Sequence, residues 1–339
     1  MFRIQQVWPG IVLALVTAGS ATAQTADEPA GKALAERYLT ALGTPQFDAI
    51  AAELESADHR RLRHEFENLK YNADDPILSS GMDSETEAIT ARSNTIVQLI
   101  ADGDLVAARL RIRGTHSGNL FGIPATGKSF DIASGAVLRL RAGKIVESWF
   151  MAEEARLLRQ LDAPLPGRQD GKINLPPAYD DTGSYDTALA SLIAAPVNSP
   201  AYRRKRLMLA YKARTKPADY TFTGRPYSKL LRGGIANIVE RAAELDLDGS
   251  HGASMSGRED RLGYIATDGD QGMMTFRLTA ENSGPLYGIP PSGEPLNFWE
   301  LSFAKFDGDT WSEAWWMADE LGFLLTIGSD EALDFLVSD

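Results

Sequence analysis

The sequence predicts an α+β protein made of two tandem copies of one small domain, and three observations carry that prediction. The segment Arg111–Leu161 reads against Arg277–Ile327 at a constant offset of 166 residues, without a gap. Ser117-Gly118 meets Ser283-Gly284, Gly122-Ile123-Pro124 meets Gly288-Ile289-Pro290, and Glu147-Ser148-Trp149 meets Glu313-Ala314-Trp315. A repeat of this length is a whole domain, well beyond the roughly 20–50 residues of a solenoid unit. Within each copy a helix-like start gives way to alternating apolar and polar residues, the order expected of helices packed on an antiparallel sheet. Finally, Asp102-Gly103 and Asp268-Gly269 stand in the same register between apolar runs, which is a strong hairpin signal.

In chain order, Ala30–Leu42 has an apolar face and stops at Gly43, a natural helix C-cap. Thr44-Pro45 supplies an N-cap and a first-turn proline for a helix burying Phe47, Ile50 and Leu54. The spacing predicts a third helix over His59–Lys70 and strands from Thr95 onward. Phe130–Leu140 alternates, Ala142-Gly143 turns the chain into Ile145–Ala152, and a short helix follows over Glu153–Leu161. In the second copy Ser199-Pro200 opens a helix through Lys212, a helical stretch covers Ser228–Leu245, and strands begin near Arg261. Asp307-Gly308 turns the last hairpin, and the last helix starts near Asp319.

Composition narrows the functional classes. A chain of 339 residues with 44% apolar content can bury two cores, and its net charge of −12 argues against nucleic acid as a partner. Arg203-Arg204-Lys205-Arg206 is a short basic run bracketed by acidic segments and reads as a solvated helix face. Arg3, the apolar run Ile11–Val16 and Ala21-Thr22-Ala23 read as a secretory signal cleaved before Gln24. The expected product is a periplasmic or secreted protein with no membrane segment after cleavage. Absence of cysteine excludes disulfides and thiolate metal sites. The expected domains are 1–23 signal peptide, 24–161 first copy, 162–184 linker rich in Pro, Gly and Asp, and 185–339 second copy.

Gly122–Ser129 fits the phosphate-loop expression G-x-x-x-x-G-K-[ST], yet Pro124 lacks an N–H and Phe130-Asp131-Ile132 alternates like a strand where a helix is required. The second copy has Glu294-Pro295 in place of Lys and Ser, so both segments read as connecting loops. No H-E-x-x-H spacing exists among His59, His64, His116 and His251, so no metal is expected. Glu147, Trp149, Met151 and Glu153 share one strand parity, as do Glu313, Trp315, Met317 and Asp319. Glu153 and Asp319 then have two readings: a partly desolvated carboxylate suited to proton transfer, or an acid in the first turn of a helix. His116 and its counterpart Asn282 are either donors to a carbonyl oxygen or structural side chains. Arg111 and Arg277 either pair an acid of their own copy, such as Glu147 and Glu313, or recognise an anion. Trp149 and Trp315 either line a pocket or fill a core.

The strings Gly114-Thr115-His116-Ser117-Gly118, Phe121-Gly122-Ile123-Pro124-Ala125-Thr126-Gly127, Gly143-Lys144-Ile145-Val146-Glu147-x-Trp149 and Leu157-Leu158-x-Gln160-Leu161 resemble the SnoaL-like polyketide cyclases, also called ester cyclases. The resemblance implies an NTF2-like cone in each copy: a curved antiparallel sheet with helices closing an apolar cavity. It implies acid/base chemistry without a cofactor on a small apolar carbonyl compound, with the acid four positions after the Trp. That position is Glu153 in the first copy, where the family usually has Asp, and Asp319 in the second. The first copy keeps Gly-Thr-His-Ser-Gly, whereas the second reads Ala280-Glu281-Asn282-Ser283-Gly284. On this reading Asp319, Glu153 and His116 are catalytic candidates, and Trp149, Trp315, Asn282, Arg111 and Arg277 contact ligand. The copies are expected to pair as an intramolecular pseudo-dimer. The alternative is a non-catalytic module that binds a small molecule or a protein.

Overall fold

The computed structural model describes residues 28–177, 183–195, 197–247, 255–286, 289–328, 332, 334 and 335. The expected signal peptide, part of the linker, His251 and Gly288 lie outside them.

Copy one begins with helices α1 (Glu28–Ala41) and α2 (Phe47–Leu54), strand β1 (Glu55–Arg63), and short helices α3 (Glu67–Asn72), α4 (Pro76–Ser79) and α5 (Glu85–Ala88). Strands β2 (Ile89–Asp102), β3 (Leu105–His116), β4 (Ser129–Arg141) and β5 (Lys144–Ala152) follow, and α6 (Glu154–Leu161) closes the unit. Copy two runs β6 (Gly183–Ser184), α7 (Tyr185–Ile193), α8 (Pro200–Lys212), β7 (Tyr227–Arg232), α9 (Ala236–Glu244) and β8 (Met255–Asp268). It ends with β9 (Gln271–Asn282), β10 (Pro295–Asp307), β11 (Thr310–Ala318) and α10 (Glu320–Ile327). The sheets are separate, in the orders β1-β5-β4-β3-β2 and β6-β8-β9-β10-β11-β7. The protein is α+β with two tandem cone domains.

Three expectations need correction. Each sheet is mixed and not purely antiparallel, because β1 runs parallel to β5 and β7 parallel to β11. These strands occupy the start of segments read from sequence as helices over 59–70 and 228–245. Their misleading feature is charge: β1 is an edge strand, where charged side chains guard the open backbone. Its polar side chains pair across the sheet: Arg60 Nη2 forms an ion pair with Glu147 Oε1 at 3.0 Å, and His59 Nε2 hydrogen-bonds Ser148 Oγ at 2.9 Å. In addition, α2 begins at Phe47 behind Gln46; Thr44 does not cap it but hydrogen-bonds back to Ala41 O. The hairpins stand where Gly103, Gly269, Gly143 and Gly308 adopt positive φ, a conformation glycine accepts without steric cost.

Strand alternation assigns each sheet two buried faces. In copy one, Ala108, Leu110, Ala136, Leu138 and Phe150 pack under Ala35, Tyr38 and Leu39 of α1. In copy two, Met274, Phe276, Ala304, Phe306 and Trp316 pack under α7 and α8. The opposite parity of both sheets meets face to face: Ala107, Val137, Trp149 and Met151 lie against Ala266, Met273, Trp299, Leu301 and Phe303. Polar contacts between the copies are reciprocal. Lys32 reaches Asp268 at 2.5 Å while Lys205 reaches Asp102 at 2.6 Å. Likewise Ala101 N donates to Asp268 at 3.1 Å and Thr267 N to Asp102 at 2.8 Å. Gly135 lies against Leu301, its own counterpart in the repeat, as a residue near a two-fold axis must.

Candidate functional site at the seam between the copies

The strand-to-helix junctions of the two copies form one polar network. Glu153 and Asp319 each precede a helix, and both are nearly buried at 4% and 6% exposure. Neither faces its own cone hollow. Their strand parity is that of Trp149 and Trp315, so they lie on the seam side, and each meets an arginine of the other copy. Arg63 at the end of β1 places Nη2 2.5 Å from Asp319 Oδ2. Arg232 at the end of β7 pairs with Glu153. The arginines occupy equal places, since Arg63 stands beside Trp149 and Arg232 beside Trp315.

The capping reading of Asp319 holds, and the carboxylate is also buried. Its Oδ1 caps α10 by accepting from Gly322 N at 3.1 Å, and it also accepts from Asn68 Nδ2 at 2.7 Å. Glu153 makes no helix cap; its Oε2 accepts from Ala133 N at 2.7 Å. The next carboxylates complete the network. Glu154 accepts from Asn68 Nδ2 at 2.5 Å and Leu69 N at 2.9 Å, and Glu320 from Asn237 N at 2.7 Å and Ile238 N at 3.1 Å. Burial, reinforced by the neighbouring Asp319 charge, pushes the Glu154 carboxyl up to about 8. Burial lifts Glu320 to about 7, with Arg232 drawing it down.

Asp319 opens on a cleft of about 380 Å³. Its walls come from both copies: Leu62, Arg63, Glu67 and Trp149 from one, Arg277, Phe298 and Trp299 from the other, with Leu175–Pro177 at its margin. Trp149 meets Trp299 edge-on with ring centroids 5.6 Å apart, and the Arg63 guanidinium lies 5.9 Å over the Trp149 ring. The cleft thus brings together Asp319, Trp149 and Arg277 of the residues singled out from sequence.

The others lie elsewhere. Trp315 lines a different hollow of about 300 Å³, with Arg109 5.0 Å over its ring. Arg111 is half exposed and pairs with Asp131, not Glu147, which is taken by Arg60 and Arg139. Arg277 hydrogen-bonds Asn297 Oδ1 at 2.6 Å, Asn297 being the counterpart of Asp131, while Glu313 pairs with Lys229. His116 is fully buried, its Nδ1 3.0 Å from Thr126 Oγ1. Asn282 lies 3.1 Å from Ser292 Oγ, the equivalent contact in copy two. Both residues brace the loop that follows their strand. The phosphate-loop look-alike is that loop: it enters β4 directly, and Lys128 reaches Asp162 at 3.2 Å.

Arg63, Asn68, Glu154 and Arg232 were missed by sequence reasoning. A signal existed: Arg63 and Asn68 match Arg232 and Asn237 at an offset of 169, which the constant 166-residue frame passes over. Among the described residues no group of three or more His, Asp or Glu is placed to hold a metal ion, and no helix is long and apolar enough to cross a membrane.

Comparison with known proteins agrees with the resemblance in one region. Residues 82–161 match the family model of the SnoaL-like polyketide cyclases, which makes this part of copy one a SnoaL-like domain. No curated protein matches the chain. Among solved structures, the chain is similar to AclR, a candidate hydroxylase from Streptomyces galilaeus, at 21% identity over 40% of this chain and 96% of that one, TM-score 0.32. It is also similar to a candidate SnoaL-like polyketide cyclase from Jannaschia sp. CCS1 (15% identity, 40% and 94% covered, TM-score 0.33). A third is IdmH, a candidate polyketide cyclase from Streptomyces antibioticus (26% identity, 38% and 97% covered, TM-score 0.29).

Proposed function

We propose that this is an exported protein whose two copies act as one covalent pseudo-dimer, and that the cleft at their seam takes a small, largely apolar carbonyl compound. The observation that carries the proposal is the placing of Asp319 in a cleft walled by Trp149, Trp299 and Phe298 and bordered by Arg63 and Arg277. The chemistry this suits is removal of a proton next to a carbonyl group by the Asp319 carboxylate. An arginine N–H then meets the enolate oxygen as charge develops there, a role electrostatic preorganisation fills well. The residues need no cofactor for such a step. Arg63 and Arg277 take the donor role that the sequence suggested for His116 and Asn282.

Proton exchange tests the proposal without the natural substrate. The protein is incubated with 2-tetralone in D₂O, and deuterium uptake beside the carbonyl is followed by NMR. Catalysed uptake lost in Asp319→Asn is the expected result; saturable binding without uptake would overturn the acid/base role. The second outcome has its own support: Asp319 already accepts from Arg63, Asn68 and Gly322 N, an occupancy that suits a non-catalytic binding module.

A further inference from the structure

The helix-covered hollows of the two copies are filled differently. In copy one the buried side chains of Glu65 and Arg92 form an ion pair, and Ser134 Oγ donates to Glu65 Oε1 at 3.3 Å. Copy two keeps the arginine as Arg258 but has Gly234 in place of Glu65. The backbone fixes this equivalence: Glu65 O accepts from Ala152 N, and Gly234 O from Ala318 N. The carboxylate has moved across the hollow, to Glu300. Ser134 faces Ala152 in its sheet and Glu300 faces Ala318 in the other, so these two positions also correspond.

The transposition leaves Glu300 without a direct hydrogen-bond or ion-pair partner among the described residues, with Lys212 and Arg258 acting on it only at longer range. Arg258 turns to Asp260 at 3.0 Å, and Lys212 joins the same carboxylate at 3.1 Å. Among the described residues Glu300 makes no hydrogen bond or ion pair. It is partly buried and faces a cavity of about 160 Å³ walled by the rings of Tyr211, Tyr227, Trp316 and Phe298, with Lys212, Arg225 and Arg258 at its polar side. A Cβ at Gly234 would stand 3.3 Å from Glu300 Oε1, so the side chain absent at 234 is what leaves room beside the carboxylate. Burial raises the Glu300 carboxyl, against the pull of Lys212 and Arg258.

We infer that the hollow of copy two, and not that of copy one, is a ligand site for a small, flat, mainly apolar molecule whose neutral hydroxyl donates to Glu300. A partly buried acceptor that lacks a donor is costly, and a ligand O–H removes that cost. Ring walls favour a flat partner in edge-on or offset contact. A cationic ligand is disfavoured because Lys212 and Arg258 already act on Glu300, and an anionic one because of Glu300 itself. The inference shares only the Phe298 ring with the Asp319 cleft and does not depend on that cleft's chemistry.

The test is calorimetric titration of the full chain with p-cresol and with toluene, which has the same ring and methyl group but no hydroxyl. Wild type is expected to bind one p-cresol, and toluene at least tenfold more weakly. Glu300→Ser removes the difference between the two probes, while Asp319→Asn leaves it intact. Gly234→Glu combined with Glu300→Ser recreates copy one's arrangement beside Arg258 and abolishes binding of both. Should that double variant fail to fold, Glu300→Ser alone decides. Equal affinity of wild type for both probes, no binding of either, or a preference that survives Glu300→Ser overturns the inference.

Discussion

Replacing Asp319 by Asn separates a capping acid from one half of a buried ion pair. The helix cap survives, because Asn is as good an N-cap as Asp. Oδ1 can still accept from Asn68 and Gly322 N. What is lost is the charge facing Arg63, whose side chain is 5% exposed. Asn in this orientation also turns an amide N–H towards the guanidinium. Arg63 keeps its bond to Phe150 O at 2.9 Å and its place over Trp149, but its charge is left uncompensated. Breaking a buried pair from one side costs about 3–5 kcal/mol, whereas taking away both partners is often close to neutral. Urea unfolding should therefore show Asp319→Asn less stable by roughly 3 kcal/mol. Arg63→Met in the same chain should restore much of that loss, and the double-mutant cycle should give a coupling of about 1–3 kcal/mol. A loss under about 1 kcal/mol for the single change, or additive single and double effects, would refute the reasoning. Asp319 would then be a cap and nothing more.

Further predictions follow from the same network. Glu154 and Glu320 titrate above the unfolded carboxylate range, so the folded state holds more protons than the unfolded one, and their contribution to stability falls as pH rises from about 4.5 towards about 8. Comparing Glu154→Gln with wild type at pH 5.5 and 8.5 should show the variant gaining relative stability at the higher pH; a constant difference would contradict the burial argument. The comparison by difference cancels His64, whose ring is depressed to about 4 by burial and adds stability as pH rises over a lower window. Gly135→Ala places a methyl group against Leu301 Cδ2 at the seam and should cost about 1–3 kcal/mol by overpacking, measurable as a lower urea midpoint with an unchanged slope. His116→Ala should lower thermal stability through its lost contact with Thr126 while leaving 2-tetralone exchange unaltered, and loss of exchange in a folded variant would return His116 to the site.

How far the sequence reached can be traced residue by residue. The repeat located the hairpins and both strand-to-helix junctions, since turn glycines and alternating strands are local signals that a constant offset preserves. It failed at β1 and β7, where charged, solvent-facing edge strands imitate helices and an insertion shifts the frame from 166 to 169. That failure hid Arg63 and Arg232, and with them the partners of Asp319 and Glu153. Parity correctly grouped Trp149 with Glu153 and Trp315 with Asp319. It could not say which face of the sheet meets helices and which meets the other copy. The resemblance led to carboxylates in a cone hollow, whereas packing of one sheet on the other puts them on the seam. The empty place opposite Glu300 was invisible for a related reason: Gly234 and Ser134 become informative only when strands 66 residues or more away are brought together.

Joining of the copies to each other is the claim on which the cleft depends, because Arg63 and Trp149 come from one and Asp319 and Trp299 from the other. It is tested most directly by inserting a protease site between Pro177 and Gly183, cleaving the purified chain, and sedimenting the product. The two pieces should travel together at the mass of the uncut chain across dilution. If they separate into folded halves, or if each half pairs with its like, the seam is not a real interface and the site built on it falls.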